Sequence, residues 1–164
     1  MVAIRRIEAH QWQLLRQIRL AALADAPDAF GASLDEERQL PASDWRQRAR
    51  DGTGDPSCCA LAFSGEQAIG LAVGLANPQS KELIYLVSMW VAPDWRGTAV
   101  AGDLVRHIAD WARDRGAAAL LLGVTPGNKR ALAFYHKQGF AQWDGRRPEH
   151  PAVTGCDLVL GKPL

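Results

Sequence analysis

Cysteine is scarce in this chain of 164 residues: Cys58 and Cys59 are adjacent and Cys156 stands alone. An odd number without metal-ligand spacing supports neither a disulfide framework nor a zinc site, so a reducing, cytoplasmic setting is expected. An excess of one charge is also missing, because 19 Lys+Arg face 18 Asp+Glu for a formal net charge of +1. That balance lacks the long-range field of a dedicated nucleic-acid or membrane-surface binder, and neither partner is expected. No apolar run approaches the ~18 residues of a membrane span. Arg5 and Arg6 are followed by polar residues rather than by the apolar stretch of a signal peptide, so export is not expected. Repeats and low-complexity segments are absent, and Gly and Pro are scattered as punctuation. His10, His107, His136 and His150 have no carboxylate-paired or metal-like spacing. What is present is length enough for one domain with its own core.

Hydrophobic periodicity sets the expected elements. Residues 2–7 read as a first strand, and Trp12, Leu15, Ile18 and Ala22 share one face of a helix over roughly 9–24. Ser33 and Glu36 have the form of a capping box opening a short helix that Pro41 ends, and Ser43 is expected to cap a further turn or two through Arg50. Residues 58–63 and 69–75 flank Ser64-Gly65-Glu66 as a hairpin, and 83–91, rich in β-formers, gives a third antiparallel strand. The period then changes. Val100, Leu104, Val105, Ile108, Trp111 and Ala112 mark an amphipathic helix ending at Gly116, and the strand 120–124 that follows implies a parallel crossover. A helix over about 128–138 stopped by Gly139, and strands at 140–143 and 153–160, complete the expected sheet.

Two stretches carry chemistry. In Val91-Ala-Pro-Asp-Trp-Arg96-Gly97-Thr98-Ala99-Val100-Ala101 a strand runs through a small-residue turn into a helix. Small residues let a ligand approach the backbone, and the free amides and positive dipole end of the new helix favour an anion such as pyrophosphate, with Arg96 as a neighbouring cation. Alone, these residues describe a structural turn with a surface arginine equally well. In the second stretch Asn128 is placed to cap a helix, and Ala131, Phe134, Tyr135 and Gly139 fall at helical intervals; alone, it is a packed helix.

Taken together the two resemble the signatures of the GNAT superfamily of N-acetyltransferases, (R/Q)xxGx(G/A) after a strand and N(x)2Ax2(F/Y)Yx3GF further on. Arg96 to Ala101 matches the first and Asn128 to Phe140 the second, and the element order extends the resemblance over nearly the whole chain. One departure is Ala99, which stands where the superfamily's phosphate loop has its first glycine. Alanine fits helical φ/ψ without strain, so the departure bears on cofactor affinity more than on the fold.

The resemblance implies an α/β (α+β) fold, a mixed and mostly antiparallel sheet of six to seven strands with about four helices. It implies acetyl-CoA as cofactor and direct transfer, in a ternary complex, to a primary amine of a small molecule or protein. It assigns Arg96, Gly97, Thr98, Ala99, Val100 and Ala101 to the pyrophosphate and backbone groups of Met89, Trp90 and Val91 to the pantetheine arm. Asn128 and Ala131 of the second signature also fall to the cofactor, and Tyr135 to the leaving thiolate. A phenol near its usual pKa of ~10 is protonated at neutral pH and can donate, although a core role is the ordinary reading of such a tyrosine. Glu82 is the nearest carboxylate for a general base, and equally an exposed strand-end charge. For the acceptor, Asp25, Asp28, Asp35, Glu36 and Glu37 form a wall that would attract an ammonium group, or else serve as partners of a helix dipole. Phe30, Tyr85 and Trp143 join Glu36 as candidate acceptor contacts. The loop Arg146-Arg147-Pro148-Glu149-His150 draws the other way, toward a carboxylate or phosphate. A homodimer is left open. A non-catalytic CoA-binding or sensing module is the alternative, against which the retained Tyr135 speaks.

Overall fold

The computed structural model describes residues 1–27, 30, 32–54, 56–146, 150–154, 156 and 158–164. Its frame is one seven-stranded sheet of β1 (Val2–Arg6), β2 (Ser57–Ser64), β3 (Gln67–Asn77), β4 (Ser80–Val91), β5 (Ala119–Val124), β6 (Ala141–Gln142) and β7 (Leu158–Pro163). The strands lie in the order β1-β2-β3-β4-β5-β7-β6, and every neighbouring pair is antiparallel except β4 with β5. Successive side chains of a strand point to opposite faces, so Cys58 and Cys59 enter different cores. On one face Cys58, Ala60, Ala72, Ile84, Leu86 and Leu120 are buried against Leu104, Val105 and Ile108 of α4 (Val100–Asp114), and α5 (Lys129–Lys137) packs against the same core. On the other, Cys59, Leu61 and Leu71 meet Leu15, Ile18 and Ala22 of α1 (Trp12–Asp25) and Trp45 and Ala49 of α3 (Ala42–Thr53). Each such Leu, Ile or Phe contributes about 1.5–3 kcal/mol on burial. α2 (Leu34–Arg38) links α1 to α3. Among the described residues no helix is long and apolar enough to cross a membrane.

The hairpins, the β4–α4–β5 crossover and the stop at Gly139, with φ 92°, are as the sequence implies. Two local expectations need correction. Ser43 caps nothing: α3 begins one residue earlier, behind Pro41, and runs to Thr53, because Trp45, Ala49 and Gly52 form a buried stripe that holds the extra turns. The last strand begins at Leu158 rather than at 153; Val153 is in a turn, donating its amide to the His150 carbonyl at 3.0 Å. The α-helices number five among the described residues, counting the one-turn α2, in line with the about four expected.

Candidate active site

The opening in the sheet comes from strand lengths. β4 pairs with β5 only over Leu83–Ala119, Ile84–Leu120 and Tyr85–Leu121, yet β4 continues to Val91 and stays paired with β3 on its other side. From Leu86 onward the β5-facing edge of β4 therefore presents backbone groups without a strand partner, and such groups can pair with an extended ligand. A bulge lies in this stretch. Leu71 pairs with Trp90 but Val73 with Val87, so β4 carries one extra residue, and Ser88 absorbs it at φ 55°. Arg19 Nη1 donates to Ser88 Oγ at 2.9 Å and holds the bulge. The extra residue inverts the alternation: Trp90 packs on the α1–α3 side, and Met89 and Val91 turn to the α4 side.

α4 starts at the mouth of this opening. Gly97, at φ 77°, turns the chain, and Ala99 sits at φ −72°, ψ −8°, a helical conformation open to any residue. The amides of Gly97, Thr98, Ala99, Ala101 and Gly102 have no acceptor among the described residues, and Val100 makes only a 3.4 Å bond to Thr98 Oγ1. That is a concave set of donors at a positive helix end, suited to phosphate oxygens. Arg96 is placed differently from the expectation of a free cation. Its Nε donates to the Val91 carbonyl at 3.1 Å, and Nη2 makes an ion pair with Asp25 at the end of α1. Trp90 Nε1 donates to the same Asp25 oxygen at 3.0 Å; that bond, then Arg96, holds the carboxyl below its ordinary pKa.

From the far side of the opening, β5 leads into α5, whose N-cap Asn128 accepts the Ala131 amide at 3.2 Å as its sequence position implies. Ala131 packs on the α4-side core. Tyr135 lies between Phe134 and Phe140, with ring centroids 5.1 and 5.6 Å away. Burial pushes its phenol up to about 12, so it stays protonated at neutral pH, and among the described residues nothing hydrogen-bonds its hydroxyl.

On the α1–α3 face a cavity of about 650 Å³ reaches the bulge. Leu71, Val73, Leu75 and Val87 give it an apolar floor, and Arg19, Glu37 and Arg48 a charged wall. Glu37 is 4% exposed. It accepts from Arg19 Nε at 3.3 Å and Nη2 at 3.1 Å, and from Arg48 Nη1 at 2.6 Å. Burial works to raise its pKa, but the two arginines outweigh burial and keep it ionised. His150 closes one side, stacked on Tyr85 with ring centroids 4.1 Å apart, its Nδ1 accepting the Ala152 amide at 3.1 Å. Burial lowers its pKa, against an opposing hydrogen bond with the Ala76 backbone.

The other expected acceptor contacts are spread out. Glu36 is exposed on α2, its amide bonded to Ser33 Oγ, while its neighbour Glu37 turns inward. Tyr85 is fully buried behind His150, its hydroxyl accepting from Asn77 at 3.1 Å. Trp143 packs in the core with Tyr85 and Leu121, and its indole donates to the Arg146 carbonyl. Phe30 covers the Arg19 guanidinium at 4.9 Å. Glu82 is exposed where β4 and β5 are still joined, seven residues from Met89 and thus roughly 23 Å along the strand. Asp28, Ala29, Gly31, Arg147, Pro148 and Glu149 lie outside the described residues. Arg19, Glu37, Arg48 and Ser88 form the connected group that sequence reasoning did not assemble. Arg19 four residues after Leu15, and Arg48 three after Trp45, flank buried stripes, and that is the one local trace of it.

A sheet opened between two parallel strands, with an amide-lined helix start at its mouth, defines a protein that binds an extended, phosphate-bearing ligand. A family model described as acetyltransferase (GNAT) family matches residues 14–140, and this chain belongs to that family. Streptothricin acetyltransferase of Streptomyces lavendulae is 49% identical over 51 residues, which is 31% of this chain and 27% of that protein. The match thus spans about a quarter of that relative's length. Among solved structures, a GNAT-family acetyltransferase from Streptococcus pneumoniae superposes with a TM-score of 0.78 at 18% identity over 100% of both chains. The PaiA N-acetyltransferase of Thermoplasma acidophilum, solved with coenzyme A, gives 0.73 at 14% identity, covering 100% of this chain and 99% of its own. At such identities these structures bear on the fold. The family's acyl donor is acetyl-CoA, and the residues here fit it: the free β4 edge suits an amide-bearing arm, and the unpaired amides at the start of α4 suit a pyrophosphate.

Proposed function

We propose that this protein transfers an acetyl group from acetyl-CoA to a primary amine by direct attack in a ternary complex. The observation that carries the reading is the free edge of β4 leading straight into the unpaired amides of residues 97–102. Gly97 to Gly102 hold the pyrophosphate through backbone N–H groups, and Met89 to Val91 hold the pantetheine arm through theirs. Acetyl-CoA supplies an acyl group activated as a thioester. Backbone groups freed by the Ser88 bulge are available to orient and polarise its carbonyl. Tyr135 keeps its proton on Oη, because burial raises its pKa to about 12, and would stabilise the departing sulfur by donating a hydrogen bond to it, the thiolate taking its proton from solvent. Arg96 acts by fixing the loop against Asp25 and Val91. The amine enters through the cavity on the α1–α3 face, where Glu37 is committed to two arginines and His150 to backbone groups, so neither is a free base. Asp51, the other carboxylate of the lining, is exposed and accepts from Gln47, and the amine loses its proton to solvent.

Thiol release from acetyl-CoA across a panel of amines, with thermal unfolding in parallel, tests the reading. Acetyl-CoA should raise Tm, and at least one amine should accelerate thiol release. A raised Tm without turnover for any amine would identify a binding module instead, and no shift at millimolar CoA would remove both readings.

A further inference from the structure

The wall of the cavity has more donors than acceptors. Glu37 already serves both arginines, and Asp51, the other carboxylate of the lining, is exposed and accepts from Gln47 at 2.7 Å. Arg48 uses only Nη1 in a hydrogen bond, and its Nε and Nη2 have no partner among the described residues. Its guanidinium lies 4.8 Å over the ring of Trp45, and its side chain remains 43% exposed. Trp45 belongs to the same wall, is fully buried, and its indole N–H lacks an acceptor among the described residues. The cluster of Arg19, Arg48 and the buried Glu37 by itself carries one net positive charge, and the balancing carboxylate of Asp51 is exposed and bonded to Gln47 rather than to either arginine. The group that complements unspent donors, positive charge and a planar fork is a planar, acceptor-only anion.

Resting on the acetyltransferase reading, we propose that the acceptor is a small amine that also carries a carboxylate, and that Arg48 receives that carboxylate. The hydrogen-bonded chain Ser88–Arg19–Glu37–Arg48 fixes the anion site relative to the bulge, so the carboxylate end anchors while the amine end is held at the opening. Leu71, Val73 and Leu75 on the floor accommodate the methylenes between the two ends. Of the acids at and after the end of α1, Asp25 and Glu37 are each neutralised by arginine, and Asp35 and Glu36 are exposed on α2 and do not belong to the lining.

The test compares kcat/KM for a series of ω-amino acids and lysine with that for each corresponding carboxamide. At least one free acid should exceed its carboxamide by about tenfold or more, the worth of one charge-assisted bond. Arg48→Gln should abolish that preference, raising KM for the acid by a larger factor than KM for the carboxamide. Arg48→Lys keeps a charge on Glu37 but loses the fork, and should lose most of the preference even if the glutamine variant fails to fold. Calorimetric binding of acid and carboxamide to the CoA-bound wild type gives the same comparison without turnover or substitution. Carboxamides used as well as acids, or a preference undiminished in both Arg48 variants, would overturn the assignment while leaving an active acetyltransferase. Acetyl-CoA binding without transfer to any amine would overturn the underlying reading and this one with it.

Discussion

Tyr135 and Arg96 were both read from signature positions, yet they sit in different physical situations. Tyr135 is enclosed by aromatic rings and has no hydrogen-bond partner among the described residues, so its hydroxyl is available for a ligand. Tyr135→Phe is expected to lower kcat at least about tenfold with little change in acetyl-CoA affinity, since a positioned donor to developing charge acts mainly in the transition state; steady-state kinetics with calorimetry separates the two quantities. Arg96 already has partners. If it acts through the loop, Asp25→Asn should weaken CoA binding as Arg96→Gln does, and the double variant should be no worse than either single one, because neighbours sharing one interaction are non-additive. Additive losses would show that Arg96 meets the phosphates itself.

At the scale of elements, the turn into α4 depends on backbone conformation. Gly97 has φ 77° and no heavy atom within 4 Å of an added Cβ, so Gly97→Ala brings conformational strain without a clash. About 1–2 kcal/mol of stability should be lost, and CoA affinity should fall because the same strain reorients the amides that follow. Gly65, in the β2–β3 turn with φ 62° and equally open surroundings, is the matched control. Gly65→Ala should cost similar stability in thermal unfolding and leave CoA affinity unchanged. Equal effects of both on CoA binding would mean that the loop conformation does not matter to the ligand.

Across the whole molecule, Glu37 ties α1, α2 and α3 together and, through Arg19, to β4. Breaking a buried pair from one side is costly, and Glu37→Gln should destabilise the protein by about 3 kcal/mol at pH 7. The pH dependence has a defined sign. The carboxyls of Glu37 and Asp25 have folded pKa values below their unfolded ones, so their stabilisation is complete above about pH 4.5 and is lost as pH falls through the lower folded values. His107 and His150 are also depressed, chiefly by burial, so the unfolded chain takes up protons first and stability begins to decline below about pH 6.5. Tm against pH should therefore fall in two stages on acidification, and Glu37→Gln should flatten the second. A Tm that rises between pH 7 and 5 would contradict the burial of the two histidines.

Local order was legible in the sequence because periodicity, capping residues and turn glycines act over a few residues: the hairpins, the crossover, Asn128 as an N-cap and Gly139 as a stop all follow from such signals. The two signature stretches were legible for the same reason, each being contiguous. The acceptor side was not. Glu36 and Glu37 are neighbours with the same chemistry, and only the packing of α2 against α1 and α3 decides that Glu37 is the buried one. Arg19, Arg48 and Ser88 are far apart in the chain and meet because sheet, helices and bulge bring them together. Ser88 owes its left-handed conformation to a register shift between two strands, a property of the pairing and not of serine. Which charges are spent and which remain free for a ligand is a matter of long-range contacts, and tertiary structure alone decides it.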